Sequence, residues 1–474
     1  MSVTGQSILH EMWHAQAAGF QLDPAAVDYA ILPQDQPLLP SSFRVSLMAQ
    51  ASIAMAALAA QQLGIRRGGP DQSITVRPAD AERECAAYFT LDDKTPHAWE
   101  KFSGLYATKD GHVRIHANFD HHRDGALALL GLDSRQTSNR QAVATALQNW
   151  TAQDYEDAAA GAGLVVAKVR SFEEWDRHLQ AQALATMPLL SLTKVGEARP
   201  RPLSPVAADQ RPLTGLRATE LTRILAGPIC GRTLAAYGAE VMLVNGPHLP
   251  NIANITDTSR GKRSCHIDLR TSAGQAQLHQ LIQQSHVFVQ GYRPGGLAAM
   301  GFAPEQLAQQ HPGLVMVSLS AYGNRGPWRQ RRGFDSLVQT ATGFNHAEAQ
   351  AANASQPQTL PLPILDYASG FLMAFGAAAA LRKQADEGGS WHVEVSLAQT
   401  AYWLRRLGRV TETLPRVTER PDLRPYLAPF RCTHGKLMAI PHAAQFSHTP
   451  VDFVQPAALP GEHSPIWPTI HHQA

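Results

Sequence analysis

The sequence predicts an α/β protein in which a doubly wound parallel sheet forms the larger domain, a smaller α+β domain accompanies it, and part of the chain is duplicated. Three observations carry this. From residue 214 short β-rich runs alternate with helix-like stretches, the rhythm of βαβ units. The first two hundred residues differ, with short strand candidates set between Ala-rich helices. A helix–turn–strand pattern from that first part recurs around residue 380.

In chain order, residues 1–100 centre on SLMAQASIAMAALAAQQLG (46–64), an Ala-rich helix, followed by the strand candidate SITVRP (73–78). Residues 101–197 hold a second strand candidate, HVRIHANF (112–119); KDGH (109–112) reads as a hairpin turn before it, and HHRDG (121–125) as a turn after it. The Pro-rich stretch ARPRPLSPVAADQRPLTG (198–215), with the linker at 198–213, is the clearest boundary and reads as a linker or an extended wrap. Residues 214–400 carry the regular pattern. ICGRTLAAYG (229–238) is a helix closed by a glycine, and AEVMLV (239–244), HVFVQ (286–290) and GLVMVSLS (313–320) are strands of a parallel sheet. Residues 401–474 follow as a linker and a shorter final segment.

The echo is in register. Residues 49–76, AQASIAMAALAAQQLGIRRGGPDQSITV, match 368–395, ASGFLMAFGAAAALRKQADEGGSWHVEV, with the same helix, Gly-Gly turn and strand. Further on, 102–122 is matched more loosely by 427–449, in the same order. In this register Asp366 falls opposite Leu47, so the helix does not need the acid in order to form.

With 474 residues, 44% hydrophobic and 17% charged, the chain has the composition of a soluble globular protein with a sizeable core. A formal charge of +2 is too small for a nucleic-acid footprint, yet leaves room for a local anion pocket. The N-terminus MSVTGQSILHEMWHAQ lacks the basic start and apolar stretch of a secretory leader, and polar residues interrupt later apolar runs, so a cytoplasmic protein that crosses no membrane is expected. Cys85, Cys230, Cys265 and Cys432 form no CxxC pair; reduced, mostly buried thiols follow.

In LPILDYASGFLMAFGAAAA (362–380), Asp366 stands at the head of a small, apolar run. An aspartate there can cap the helix by accepting from its free N–H groups. It can equally be a nucleophile held at a helix N-terminus, able to attack an activated acyl group. Its neighbourhood bears on the choice. LTRILAGPICGRTLAAYGAEVMLVNGP (221–247), SRGKRSCHIDLRTSAG (259–274), VFVQGYRPGGLAAMGF (287–302), SLSAYGNRGPWRQRRGFDSLVQTATG (318–343) and LPILDYASG follow one another in order. Block by block they resemble the class III coenzyme A transferases (CaiB/BaiF type), the family of formyl-CoA and carnitine CoA-transferases and of 2-methylacyl-CoA racemases.

The resemblance implies a Rossmann-like CoA-binding domain at 214–400. By the same likeness 1–100 is a partial first copy of the large domain, 101–197 a first small domain with its returning segment, and 401–474 a truncated second small-domain segment. It also implies interlocked dimers, formed either by two chains or within this one as a pseudo-dimer. Asp366 would be the acid that takes the acyl group from the thioester, with Asp335 an acid near the reacting centre. Leu225 and Ala226 would approach the pantetheine or thiol end. Ile267, Asp268, Leu269 and Arg270, with Gly291, Tyr292 and Arg293, would surround the nucleotide, and Arg332 would lie near the phosphates. Coenzyme A and its acyl thioesters are expected as substrates together with a small carboxylic acid, with no prosthetic group and no metal.

Read without the resemblance, Asp335 begins a helix and Arg270 and Arg293 are solvated surface cations. Departures from the family pattern also stand out. AEVMLVNGP places Leu243 and Asn245 where a Lys-x-Glu pair is common, and Phe334 stands where the racemase branch carries a histidine, which argues against racemisation. No Gly-rich shielding loop is found in the second copy, so shielding would come from the first copy or from another chain. The histidines of the tail, His463, His471 and His472, read as part of a mobile end. A working transferase and a catalytically weakened CoA-binding or scaffolding relative are the two functions these residues suit.

Overall fold

The structure is a computed structural model describing residues 3–35, 37–97, 99–137, 139–411, 413–414 and 421–468. The apolar runs of the second half become a seven-stranded sheet whose central strands are covered on both faces, which is why they lack polar alternation. Its strands are β1 (Leu190–Gly196), β2 (Arg217–Leu221), β3 (Glu240–Asn245), β4 (Lys262–His266), β5 (Val287–Gln290), β6 (Val315–Ser320) and β7 (Ser390–Ser396). They lie in the order β4-β3-β2-β5-β6-β7-β1, parallel except for β1, which runs antiparallel along β7. The edge strand β1 thus comes from before the Pro-rich stretch. The order reverses between β2 and β5, where a crevice opens at the carboxyl ends of the strands.

Five helices matter for the site: α1 (Val45–Arg66), α2 (Asp120–Leu129), α3 (Ala226–Ala236), α4 (Asp335–Ala341) and α5 (Ile364–Glu387). Helices α1 and α5, rich in alanine and buried nearly all round, pack on each other, and α5 also packs on α3, β6 and β7. Among the described residues α5 is long and apolar enough to cross a membrane, a run the sequence reading did not expect. Its apolar window is wholly inside the protein, as befits a core helix.

A smaller α+β lobe forms on strands Gly104–Ala107, His112–Ile115 and Val166–Lys168 with the helices between them, around a separate core that includes Phe102, Tyr106, Val113, Leu147 and Tyr155. KDGH is the expected hairpin turn; HHRDG is not a turn but the first part of α2. Asp120 at the head of α2 suits a helix start, and the HHRDG residues lie along its first turns.

The two echoed segments take the same local form. The Ala-rich helices are followed by strands at Ile74–Val76 and β7, and both later matches are antiparallel hairpins, 104–107 with 112–115 and 428–430 with 437–439. Their partners differ: Ile74–Val76 pairs with Ala30–Ile31 and Ala444–Phe446, whereas β7 lies inside the large sheet. The Pro-rich stretch is a wrap, tied to α1 by Arg67, which donates to the carbonyls of Ser204, Pro212 and Thr214 at 2.7–3.0 Å.

The chain's distant parts also meet at buried charges. Arg232 of α3 pairs with Asp257 and, at 2.9 Å, with Glu84; Glu84 also receives His442 at 2.8 Å and the Ala443 N–H at 2.7 Å. His463, expected in a mobile end, is held instead: its N–H donates to the Ser264 carbonyl at 2.6 Å and its Nδ1 accepts from the Ser264 N–H at 3.2 Å. His471 and His472 lie outside the described residues. Cys85, Cys230 and Cys265 are buried free thiols, and Cys432 is half-buried and free.

Candidate active site

Strand β2 ends at Leu221, and the chain must turn within a few residues to enter α3. It passes through Ile224 at φ 77°, a left-handed conformation that a β-branched residue adopts only when its surroundings enforce it. A buried brace does so. Thr222 Oγ1 donates to Glu220 Oε1 at 2.6 Å; Lys262 Nζ lies 2.7 Å from Glu220 Oε2 and donates to the Pro228 carbonyl at 2.8 Å.

Helix α5 crosses this turn closely. A Cβ on Gly370 would stand 2.5 Å from the Ala226 carbonyl oxygen and 2.7 Å from Ile229 Cβ, so only glycine permits the approach. Asp366 lies one turn earlier on the same face of α5, which brings its carboxyl to the cavity that Leu225 and Ala226 also line. The helix is not capped by Asp366: Pro363 holds the N-cap position and Asp366 is the third helical residue. Its free N–H groups are met from outside. Asp335 Oδ2 accepts from the Asp366 N–H at 3.0 Å, and the Leu365 N–H reaches the same carboxylate. Asp335, the first residue of α4, thus caps the helix that bears Asp366. Gln339 locks the arrangement: its Nε2 donates to Asp335 Oδ1 at 2.5 Å and to the Leu362 carbonyl at 3.3 Å, while its Oε1 accepts from the Leu360 N–H at 3.1 Å.

The two acids do not titrate alike. Burial pushes Asp335 up to about 6, against the pull of the donors just named and of the Arg114 guanidinium. Asp366 is pushed well above the ordinary carboxylate range by burial and then by the charge on Asp335; its carboxyl accepts no hydrogen bond among the described residues. Of the pair, Asp335 is the better home for a charge and Asp366 for a proton.

In front of Asp366 lies a cavity of about 410 Å³ at the crevice between β2 and β5. Arg223, Leu225 and Ala226 line one side, Gly291, Tyr292 and Arg293 another, and Arg331, Arg332 and Phe334 a third. The last wall comes from the small lobe: Phe119, His121 and His122 at the start of α2. Arg332 ties this wall down, donating to the Gly163 carbonyl at 2.9 Å and lying 3.3 Å from His122 Nε2. Since a guanidinium can only donate, His122 Nε2 accepts and its proton sits on Nδ1. Burial first, then His121 and the nearby arginines, pull the His122 pKa down to about 3, so the ring is neutral at physiological pH.

Of the residues singled out in the sequence, Asp366, Leu225, Ala226, Gly291, Tyr292, Arg293 and Arg332 share the cavity, and Asp335 stands directly behind it. Ile267, Asp268, Leu269 and Arg270 do not line it. Ile267 packs in the core beside β4, and Asp268 pairs with Arg270 at 2.7 Å. The sequence reading missed Gln339, Arg223, and the wall of Phe119, His121 and His122. The HHRDG stretch had marked the two histidines, but only tertiary contact brings them to Asp366.

Residues 213–447 match the model of CoA-transferase family III. The chain belongs to this family. An acyl-CoA transferase of Gibberella moniliformis is 34% identical to it over 63% of this chain and 55% of that protein. The alpha subunit of a succinyl-CoA–L-malate CoA-transferase from Chloroflexus aurantiacus is 27% identical over 49% of this chain and 58% of its own. Among solved structures, a hypothetical protein of Mycobacterium tuberculosis aligns at 30% identity and a TM-score of 0.39, covering 42% of this chain and 58% of that one. This family III chain spans about half the length of the curated relatives it matches.

Proposed function

We propose that the protein is an acyl-CoA:carboxylate CoA-transferase in which Asp366 carries the acyl group. The observation behind this reading is the placement of Asp366, which heads a buried helix, opens on a cavity lined by small backbone-rich turns and arginines, and has a second carboxyl bound to its own N–H. In the microstate with the proton on Asp335, Asp366 carries the charge and can attack.

The attack joins an Asp366 carboxylate oxygen to the acyl carbon and breaks its bond to sulfur, leaving a mixed anhydride and CoA thiolate. The thiolate then attacks the Asp366 carbonyl, releasing the donor carboxylate and forming an aspartyl-CoA thioester. The acceptor carboxylate attacks that carbonyl in turn, expelling thiolate and making a second anhydride. Thiolate attack on the acceptor's acyl carbon yields the new thioester and restores Asp366. Free N–H groups at the start of α3 are suited to the oxyanions that develop. Leu225 and Ala226 face the thiol end, and Arg293 and Arg332 supply positive charge for the phosphates; coenzyme A is a substrate and no prosthetic group takes part. Phe334 in place of a histidine removes the relay that racemisation needs.

Further parts of the reading concern the assembly. The α1–α5 packing and the paired hairpins support a partial internal duplication, with the small lobe of the first copy covering the reaction pocket of the second, as halves of a dimer would. The scaffolding alternative draws on β3, where Leu243 is buried and Asn245 is bonded to Ser264, leaving no cation or acid there for the nucleotide.

Incubation with succinyl-CoA or acetyl-CoA and hydroxylamine, followed by peptide mass spectrometry, should reveal a hydroxamate at Asp366 that is absent from Asp366→Asn. Absence of any such adduct across a panel of thioesters would leave the scaffold reading in its place.

A further inference from the structure

Arg114 lies on the strand His112–Ile115 of the small lobe, only 6% exposed, and its guanidinium makes no ion pair or hydrogen bond among the described residues. Burying a charge without a partner is expensive, and an unpartnered buried donor calls for an explanation. Its surroundings supply one. Side chains two apart on an extended strand share a face, and His116, two residues on, stacks flat on Phe334 at 4.1 Å, the residue immediately before Asp335. Helix α4, which Asp335 opens, packs on His112–Ile115 and on Val166–Lys168. The face that carries Arg114 therefore lies over the start of α4.

The groups around the two side chains narrow the choice. Arg114 meets the Trp99 ring at 5.1 Å, the cation Arg140, the His116 ring and, as its acid, Asp335. Asp335 in turn faces Gln339 of its own helix, the N–H groups of Leu365 and Asp366, the Asp366 carboxyl and Arg114.

We propose that Arg114 is a positioning residue for the reaction centre: a counter-charge, carried in by the small lobe, that keeps one negative charge on the carboxyl pair Asp335 and Asp366. The carboxyl pair belongs to one part of the chain and its cation to another, so the centre is electrostatically complete only when the lobe is docked. The catalytic meaning of this rests on the reading of Asp366 as the reacting carboxyl. The charge arrangement itself does not.

The test is carbon-13 NMR titration of the full chain labelled at aspartate Cγ, with Asp335→Asn and Asp366→Asn used to assign the pair. A nearby cation favours the charged carboxylate, so its removal moves the pair's first apparent step upward. In Arg114→Met and Arg114→Gln that step should rise; in Arg114→Lys it should stay close to wild type. An unmoved step in either neutral variant, with a native circular dichroism spectrum, overturns the proposal. Should both neutral variants fail to fold, the double variant Arg114→Met with Asp335→Asn decides: a folded double variant, rescued by removing the acid left without its cation, supports the pairing, and a double variant that also fails to fold overturns it. The titration needs no turnover. A missing Asp366 adduct would therefore count against the transferase reading alone, and a normal adduct with an unmoved titration against Arg114 alone.

Discussion

Asp366→Asn is expected to stabilise the protein while removing its chemistry. The side chain is buried, receives no hydrogen bond among the described residues, and is pushed well above the ordinary range by burial and by Asp335. In the unfolded chain it ionises near its usual value of about 3.9. A group whose folded pKa is raised contributes stability below the unfolded value and loses it as pH climbs toward the folded one, at ~1.4 kcal/mol per pH unit. Burial is the larger cause of the Asp366 shift and the Asp335 charge the smaller, and both act against the ionised side chain in the folded state. Asparagine has the same shape and no charge to suppress. The variant should therefore match wild type below pH 4 and gain on it as pH rises above that, at up to ~1.4 kcal/mol per pH unit, read from denaturant melts of both proteins across the range to pH 7. A variant less stable than wild type at pH 7, or a gap that does not change with pH, would refute the reasoning.

Other substitutions probe how the site is built. Gly370→Ala forces a Cβ against the Ala226 carbonyl and Ile229, so it should cost ~1–3 kcal/mol and lower the yield of Asp366 hydroxamate, measured by melts and by mass spectrometry. At Glu84 burial opposes ionisation, but His442 and Arg232 outweigh it and hold the pKa at about 2. Glu84→Gln should therefore cost ~3–5 kcal/mol at pH 7, a penalty that shrinks as pH falls below the unfolded value toward 2 in paired denaturation curves. Phe119→Ala opens the wall that the small lobe presents to Asp366, and the fraction of thioester lost to water, against that captured by hydroxylamine, should rise in a direct product assay.

The parts legible in the sequence were those set by local pattern. AEVMLV, HVFVQ and GLVMVSLS are β3, β5 and β6 to within two residues at either end, because strands covered on both faces must be apolar throughout. Gly238 follows α3 at φ 108°, the left-handed position a glycine was expected to fill. Asp366, Arg332 and the ILAGP turn were found by motif, and the fold brings them together. What pattern could not convey was long-range contact. Nothing in HHRDG says that its two histidines will face an acid more than two hundred residues away, and nothing near Leu190 says that this strand will close a sheet begun after the Pro-rich wrap. The capping reading of Asp366 failed for a similar reason: the residue that satisfies the helix start is Asp335, on a different helix.

The meeting of Glu84, Arg232 and His442 has a consequence for the order in which the protein matures on the ribosome. When synthesis has reached Ser396, every strand of the large sheet has been made, yet the buried Glu84 still lacks the imidazole and the backbone donor that arrive with residues 442 and 443. The segment around residues 442 and 443 is therefore a latch, and a nascent protein that lacks it leaves Glu84 held, among the described residues, by Arg232 alone.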